Sequence, residues 1–364
     1  MSPDRHADPV LLNLERGESD GERSGNLSAV LEVENDLWLG ADEGTTIERL
    51  SRTGPAEYGR HAVFDLRDVL ALPGAADEEI DVEGLAYADG CLWVAGSHSV
   101  RRSEPDLPGL EGGMRKQVRR LARTRRGGNR YLLGRVPLVP AADGSGLEPR
   151  RKGDDGTRAA RLPGGRRRNL LVDLLRNDDH LAPFLSVPGK DNGFDVEGLA
   201  LGEGHVFLGL RGPVLRGWAV VLVLAPELDP DDSELLRLAR LGGGKRLYRK
   251  LFLDLHGLGI RGLVFDGADL LILAGPTMPL DGDAVVLRWR NALSCGGDAL
   301  IPRDRFERML DLPYGRGAEE GVNHPEGLAL LESGGPKSLL VVYDSPSEER
   351  RQGASGIVAD RFAI

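Results

Sequence analysis

The feature that most constrains the fold of this chain is an internal repeat. Four segments align without gaps, and a fifth carries a slightly longer turn around Gly334 and Gly335. Their starts lie 55, 114, 64 and 65 residues apart along the chain. Because a repeated unit of this size buries its apolar face against its neighbours, the repeat predicts one large domain. The five segments begin at Asn26, Asp81, Asp195, Gly259 and His324.

Each copy has the order of a four-stranded antiparallel unit. A short apolar strand, a turn and a second strand come first, as in DVEGLAYADGCLW from Asp81. A third strand follows and a fourth precedes the next copy; in the second unit these are RYLLGRVPL and NLLVDLLRN. Four short strands at this spacing are typical of a β-propeller blade. The 50 glycines among 364 residues fit a turn-rich chain and argue against a helical bundle.

The sequence therefore predicts an all-β fold, a single β-propeller domain over residues 1–364 with five four-stranded blades. The long second interval leaves a sixth blade as the alternative. We interpret its charged, Gly- and Pro-rich parts, 101–129 and 139–168, as two insertions without paired strands, the second a mobile loop on the opposite face. The last unit has only three strands, and PVLLNLE near the N-terminus has no unit. Pairing them would close the ring and remove exposed sheet edges.

The insertions carry a charge opposite to that of the remaining chain. Residues 101–168 hold 19 Lys and Arg against 7 Asp and Glu, whereas the rest holds 28 against 50. Met114, Val118 and Leu121 repeat on one face, which predicts a short basic helix from Gly113 to Arg126. Two interpretations stay open: a lid over an acidic mouth, or a solvated, partly disordered segment. No aromatic residue is interleaved with these arginines, so we expect no nucleic-acid partner.

Acidic residues recur at the start of the first strand of several repeats. The first strand of each blade lines the axis of a propeller, so these residues converge at one mouth. An oxygen-rich ring suits a hard cation such as Ca²⁺. The alternative is that the Gly after each Glu permits a turn, while the Glu caps backbone N–H groups or pairs with Arg261. The candidate metal ligands are Glu83, Glu197, Glu326, Asp195 and Asn26.

Histidines and further charged residues fall on the same predicted face. His324 and His98 are the catalytic candidates, because a histidine beside carboxylates moves protons near neutral pH. His324 ranks first, since it occupies the place of Asp81 in the repeat. The two arginines would clamp a phosphate or carboxylate, or else form salt bridges to the glutamates. The candidate substrate-binding residues are Arg211, Arg261, Asp42 and Asp344.

Other common motifs are absent from the sequence. GGGK at 242–245 lacks the flanking residues of a phosphate loop, and nothing matches a dinucleotide fingerprint, so we expect no nucleotide cofactor. Cys91 and Cys295 are too few for a disulfide framework or a cysteine metal site. With no apolar run of membrane length, these features predict a soluble cytoplasmic protein without a membrane partner. The oligomeric state stays open.

The repeated DVEGLA and HPEGLA motifs resemble those of an uncharacterised bacterial family known only as a domain of unknown function. This resemblance covers nearly the whole chain. More distantly, the Asp-x-Glu-Gly-Leu turn is similar to esterase-like phytase propellers and to calcium-dependent lactonases of the gluconolactonase and paraoxonase type. The distant resemblance implies axial Glu, Asn and Asp side chains around a metal that polarises an ester or phosphate. Arg261 and Ser28 depart from this pattern at the glutamate position.

Two functional hypotheses follow. The first is a metal-assisted hydrolase of an ester, lactone or phosphoester, with its site at the mouth of the central channel. The second is a non-catalytic propeller whose mouth and basic lid bind a protein or a small anionic ligand. Thermal stabilisation by calcium would favour the first.

Overall fold

A computed structural model describes residues 7–14, 26–41, 43–106, 112–242, 245–278, 280–312, 321–353 and 355–364. In these ranges the regular structure is almost entirely β-strand, with two α-helices. None of the described helices is long and apolar enough to cross a bilayer.

The first half of the chain contains two groups of strands and both helices. The N-terminal strand is β1 (Asp8–Asn13). The first group comprises β2 (Leu27–Val33), β3 (Asp36–Ala41), β4 (Thr46–Gly54) and β5 (Glu57–Asp65). The second group, with its insertions, comprises β6 (Val82–Ala88), β7 (Cys91–Gly96), β8 (Arg101–Arg102), α1 (Gly113–Leu121), β9 (Thr124–Arg125), β10 (Leu133–Pro140), β11 (Leu147–Pro149), β12 (Ala160–Arg161), β13 (Gly164–Gly165), β14 (Arg168–Asn169) and α2 (Leu170–Leu175).

The second half contains three further groups. The third comprises β15 (Asp195–Gly202), β16 (His205–Gly212), β17 (Trp218–Leu224), β18 (Pro226–Leu228), β19 (Leu236–Leu238) and β20 (Tyr248–Asp254). The fourth comprises β21 (Gly259–Asp266), β22 (Asp269–Gly275), β23 (Ala284–Trp289), β24 (Ala299–Ile301) and β25 (Phe306–Leu312). The last comprises β26 (His324–Leu331), β27 (Ser338–Asp344), β28 (Arg351–Gln352) and β29 (Gly356–Ala363).

These strands form sheets that repeat around an axis, as the propeller prediction requires. The sheet orders are β6-β7-β10-β11, β15-β16-β17-β20-β24 and β21-β22-β23-β25, and one larger sheet runs β2-β3-β4-β5-β1-β29-β27-β26. The first strand of each group lies innermost. In sequence order β2, β6, β15, β21 and β26 each contact the next, and β26 contacts β2 again. The architecture is all-β and propeller-like.

The N-terminal strand joins the first and last groups. β1 pairs antiparallel with β29, from Asp8 opposite Arg361 to Asn13 opposite Gly356. It also forms a short parallel pairing with β5. The predicted pairing of the N-terminal strand with the three-stranded last unit is therefore present.

The apolar core is divided among the interfaces between consecutive sheets. One cluster joins Trp38 of β3 to Val94 of β7, and the next joins Trp93 of β7 to Leu208 of β16. Three further clusters lie between the third and fourth groups, the fourth and last, and the last and first. Alternating side chains on each strand supply both faces of a sheet, so every sheet packs against two neighbours.

The outer part of the second group differs from its prediction. NLLVDLLRN is not a strand: Asn169 accepts a hydrogen bond from the backbone N–H of Val172 at 3.1 Å and begins α2. The strands β11 and β12, inside the predicted insertion 139–168, pair with β10 instead. The strand prediction was wrong because a short apolar run with an N-terminal Asn fits a capped helix equally well.

The basic helix is present but shorter than its apolar pattern predicted. It ends at Leu121, and Arg101 and Arg102 of β8 pair with β9 in a small ribbon. The Arg102 guanidinium donates to the carbonyl of Leu121 at 2.8 Å, which satisfies one carbonyl at the helix end.

Candidate functional site

Every inner strand carries a β-bulge at the same repeat position. In all five strands the register with the second strand skips one residue. A bulge leaves that residue outside the regular ladder and re-aims its side chain. These positions line a small axial cavity of about 20 Å³. The bulged residues are Ser28, Glu83, Glu197, Arg261 and Glu326.

The glycine that follows a bulged glutamate allows neighbouring inner strands to approach closely. A Cβ on Gly84 would lie 2.4 Å from the Cβ of Leu199, and one on Gly198 would lie 2.8 Å from the Cγ of Leu263. Neither glycine has a positive φ. The expectation that this glycine serves a turn was therefore wrong: it makes room for an aliphatic side chain of the next group. Leu199 and Leu263 also line the axial cavity.

Two arginines connect three carboxylates in this axial cluster. Arg211 Nη1 lies 2.5 Å from Glu197 Oε1, and the same guanidinium pairs with Asp195. Arg261 Nη1 pairs with Glu326 and lies 3.4 Å from Glu197 Oε2. All five residues are buried. The salt bridges that the sequence left as an alternative to a ligand clamp are thus formed.

Arg261 is also held from behind by the backbone. Its Nε and Nη2 atoms donate to the carbonyl of Pro276 at 3.2 and 3.1 Å. The guanidinium group of Arg261 thus makes four contacts within the protein, two to the carbonyl of Pro276 and one each to Glu197 and Glu326. These contacts fix the orientation of its plane.

Burial and charge crowding alter the acidity of the cluster. Burial raises the pKa of Glu197 to about 8, although Arg211 and Arg261 oppose the rise. Burial also raises the pKa of Asp195, opposed by Arg211. For Arg211, burial acts to lower the pKa, but Asp195 and Glu197 outweigh it and keep the value well above the ordinary one. Burial in this cluster of three carboxylates and two guanidinium groups therefore favours the protonated form of Glu197 more than in water.

A second set of groups lies nearer the solvent. His324 Nδ1 lies 3.9 Å from Asp344 Oδ2, and its Nε2 lies 4.0 Å from Asp281 Oδ1. Burial and the carboxylate of Glu326 raise the pKa of Asp344 to about 7, and Lys190 acts in the opposite direction. Burial lowers the pKa of His324. We call Glu326, His324 and Asp344 the mouth cluster.

The remaining predicted residues occupy different places. Asn26 forms an isolated bridge with Asp344 at the mouth, and Glu83 lines the axial cavity. Asp42 lies outside the described residues.

His98 is placed apart from these groups. It is 3% exposed; its Nδ1 lies 2.7 Å from the carbonyl of Gly96, and its Nε2 accepts from the Asn169 amide at 2.8 Å. Burial lowers its pKa to about 4. The ring is thus neutral and joins β7 to the start of α2.

Three charged residues near the axis were missed by the sequence analysis. Arg130 forms a buried ion pair with Asp81, and Lys190 and Asp281 act on the mouth cluster. All three lie in connecting segments, where no repeat position marks them. Only their proximity in the folded chain identifies them.

The family model for a protein of unknown function, DUF3616, matches residues 26–360. The chain belongs to the DUF3616 family. The matched residues include all five inner strands and both clusters of this DUF3616 protein. A comparison with curated proteins found no match.

Solved structures of several proteins are similar to the DUF3616 chain at low identity. Glutaminyl cyclase of Myxococcus xanthus is 10% identical with a TM-score of 0.43, over 99% of this chain and 98% of that one. The allergen Mala s 1 of Malassezia sympodialis is 9% identical with a TM-score of 0.45, over 98% and 96%. A PQQ-bound aldose sugar dehydrogenase of Streptomyces coelicolor is 12% identical with a TM-score of 0.37, over 98% and 99%.

The axial carboxylates of the DUF3616 protein do not fit the predicted calcium site. Calcium takes six to eight oxygen ligands. Among the described side chains, no group of three or more His, Cys, Asp and Glu residues has the geometry to hold a metal ion. Oxygens of Asp195, Glu197 and Glu326 face guanidinium groups instead. Here arginines supply the positive charge that the distant resemblance assigns to a cation.

Proposed function

We propose that this protein is a hydrolase of a small polar ester, lactone or phosphoester. The substrate binds at the axial mouth and reacts by proton transfer between carboxyl groups, without a step through a metal ion. One observation carries the proposal: Glu326 shares Arg261 with the buried Glu197 and interacts electrostatically with the partly exposed Asp344. A carboxyl group with a raised pKa beside a second carboxyl group can act as the general acid of such a hydrolysis.

The roles follow from exposure and charge. The side chains of His324, Asp344 and Glu326 are 20, 19 and 10% exposed, whereas that of Glu197 is only 3% exposed. Substrate therefore meets the mouth cluster, and Glu197 stays behind it. Glu326 takes a proton from the attacking water, and Asp344 gives a proton to the departing alcohol. His324 hydrogen-bonds the substrate between them, and Lys190 stabilises negative charge that develops on the substrate.

The blade number is part of the proposal. We infer five blades, supported by the ring of five inner-strand contacts and the five interface clusters. The small strands of the long interval, β8, β9, β13 and β14, pair in two separate ribbons.

The test is a panel of chromogenic esters, lactones and phosphoesters, assayed with and without a chelator. We expect activity that the chelator leaves unchanged and that Asp344→Asn and Glu326→Gln lower at least about 100-fold. The control is Glu332→Gln, whose side chain is 64% exposed beyond the end of β26. Since Asp344 must carry its proton, kcat should fall as the pH rises above about 7.

Two outcomes would overturn the proposal. Loss of activity on chelation would show that the reaction needs a metal ion, as in the metal-assisted hydrolase that the sequence suggested. A silent panel, together with a ligand whose thermal stabilisation is lost in Asp344→Asn, would show the non-catalytic binding propeller instead.

A further inference from the structure

Helix α1 exposes the apolar face that its sequence pattern defines. Met114, Val118 and Leu121 are 61, 61 and 47% exposed. The buried residue of the helix is Gln117, whose Oε1 accepts a hydrogen bond from the backbone N–H of Asp106 at 2.9 Å. A surface helix usually buries its apolar face and exposes its polar one. This helix exposes both its apolar and its basic residues, and it buries Gln117.

The helix is attached to the body by a short stalk. The ribbon of β8 and β9 leads to it, and Arg102 Nε lies 2.7 Å from Asp191 Oδ2 in the segment before β15. Arg126 donates to the carbonyl of Leu185 at 3.3 Å in the same segment. Within the described ranges, no strand and no other helix packs extensively against α1. The β8–β9 ribbon and these two contacts therefore hold α1 at the surface with its apolar face towards solvent.

The helix and the residues that follow it carry charge of one sign. Residues 114–126 contain seven Lys and Arg and no Asp or Glu. An amphipathic helix with apolar residues on one face and Lys or Arg on the other lies in the interface of an anionic bilayer. Each basic residue near such a surface adds about fivefold to binding.

We propose that α1 is a membrane-surface anchor. Met114, Val118 and Leu121 insert among the lipids of an anionic bilayer, and the flanking arginines bind the headgroup phosphates. This attachment differs from a transmembrane span, and it revises the sequence-based expectation of no membrane partner.

The observations favour a bilayer over an acidic protein partner. Three aliphatic side chains on a convex helix offer no pocket and no Trp or Tyr, the residues that dominate protein interfaces. A fluid bilayer needs no shape complementarity. The chain outside residues 101–168, with 28 basic and 50 acidic residues, is repelled by the same surface, and this repulsion is screened beyond about 8 Å. The repulsion between the acidic part of the chain and the bilayer therefore favours the orientation in which α1 faces the lipid.

The experiment is sedimentation of the full chain with two kinds of vesicle. One contains phosphatidylcholine alone, and the other contains phosphatidylcholine and phosphatidylserine. We expect binding to the phosphatidylserine vesicles that weakens as salt is raised. Val118→Glu should reduce it at least about 10-fold, and the double variant Arg119→Gln, Arg120→Gln about 25-fold.

The matched controls alter equally exposed residues elsewhere. Leu300→Glu removes an apolar side chain that is 67% exposed, and Arg246→Gln removes a charge that is 70% exposed. Both should bind like the unaltered protein. Equal binding to both vesicles, no binding to either, or full binding by Val118→Glu would overturn the proposal. So would a dimer in sedimentation velocity that Val118→Glu abolishes, because a second copy would then cover the face.

Discussion

At the scale of single residues, the repeated Glu-Gly-Leu sequence assigns three tasks to three neighbouring positions. Glu197 occupies a bulge and faces the axis, Gly198 admits a side chain of the next strand, and Leu199 fills the corresponding space against Gly84. This interlocking explains why glycine accompanies the glutamate: a larger residue would separate the inner strands and widen the axis.

Replacing such a glycine should destabilise the protein without touching the polar cluster directly. In Gly84→Ala the new methyl group would lie 2.4 Å from the Leu199 Cβ and 3.1 Å from its backbone nitrogen. We expect a loss of about 2–3 kcal/mol in the free energy of unfolding, measured by denaturant titration. Gly165→Ala is the control, since a Cβ there meets no atom within 4 Å. Equal stability of the two variants would contradict the packing argument.

The buried proton of Glu197 should appear as a pH dependence of stability. Its pKa is raised from 4.5 to about 8 in the folded protein, so between these values the folded state binds more protons than the unfolded state. Stability from this group is present at low pH and is lost as the pH rises towards 8. Glu197→Gln removes that loss. From pH 5 to pH 8, the variant should gain more than about 1 kcal/mol of stability relative to the unaltered protein. Glu332→Gln, with its exposed side chain, should show no such trend.

At the scale of elements, α2 shows how one side chain can decide between a strand and a helix. Asn169 caps the helix through its oxygen, while its amide donates to His98 Nε2 and to the carbonyl of Tyr131, both at 2.8 Å. The helix buries Leu171, Val172 and Leu175. His98 accordingly has a structural role in holding this helix against β7.

Asn169→Ala should therefore cost about 2–4 kcal/mol, because it removes a cap and leaves two buried acceptors without donors. Asn169→Asp keeps the capping oxygen but loses the amide donor, so its stability should fall between the two. Thermal unfolding of the three proteins measures the order. A variant Asn169→Ala as stable as the unaltered chain would show that the contacts of His98 contribute nothing.

At the scale of the whole molecule, β1 completes the arrangement of sheets. It covers the edge of β29 and also meets β5; Val10 and Leu12 of β1 are buried, as is Leu14 directly after it. Without it, two sheet edges would be open to another chain.

Deleting residues 1–13 should therefore abolish cooperative unfolding or produce oligomers, as measured by calorimetry and sedimentation velocity. Leu12→Ala, which removes one fully buried side chain of β1, should cost about 2–4 kcal/mol. Deleting only residues 1–6, which precede β1, is the control. If the larger deletion remained a monomer of unchanged stability, β1 would not be what joins the ends of the ring.

The sequence alone determined the repeat, the all-β class, the strands of the inner and second positions and the pairing of the N-terminal strand. These features could be predicted because apolar periodicity and turn residues are local signals, and the same signals recur in each blade. It also identified Glu83, Glu197, Arg261 and Glu326 as equivalent axial positions. The tertiary structure alone decided which charges neutralise one another. Arg261 pairs with Glu326 from 65 residues away, Lys190 acts on Asp344 from a distant segment, and Asp344 acquires its raised pKa from burial and from the charge of Glu326. Coulomb interactions and desolvation depend on distance in space, and spacing along the chain does not encode that distance.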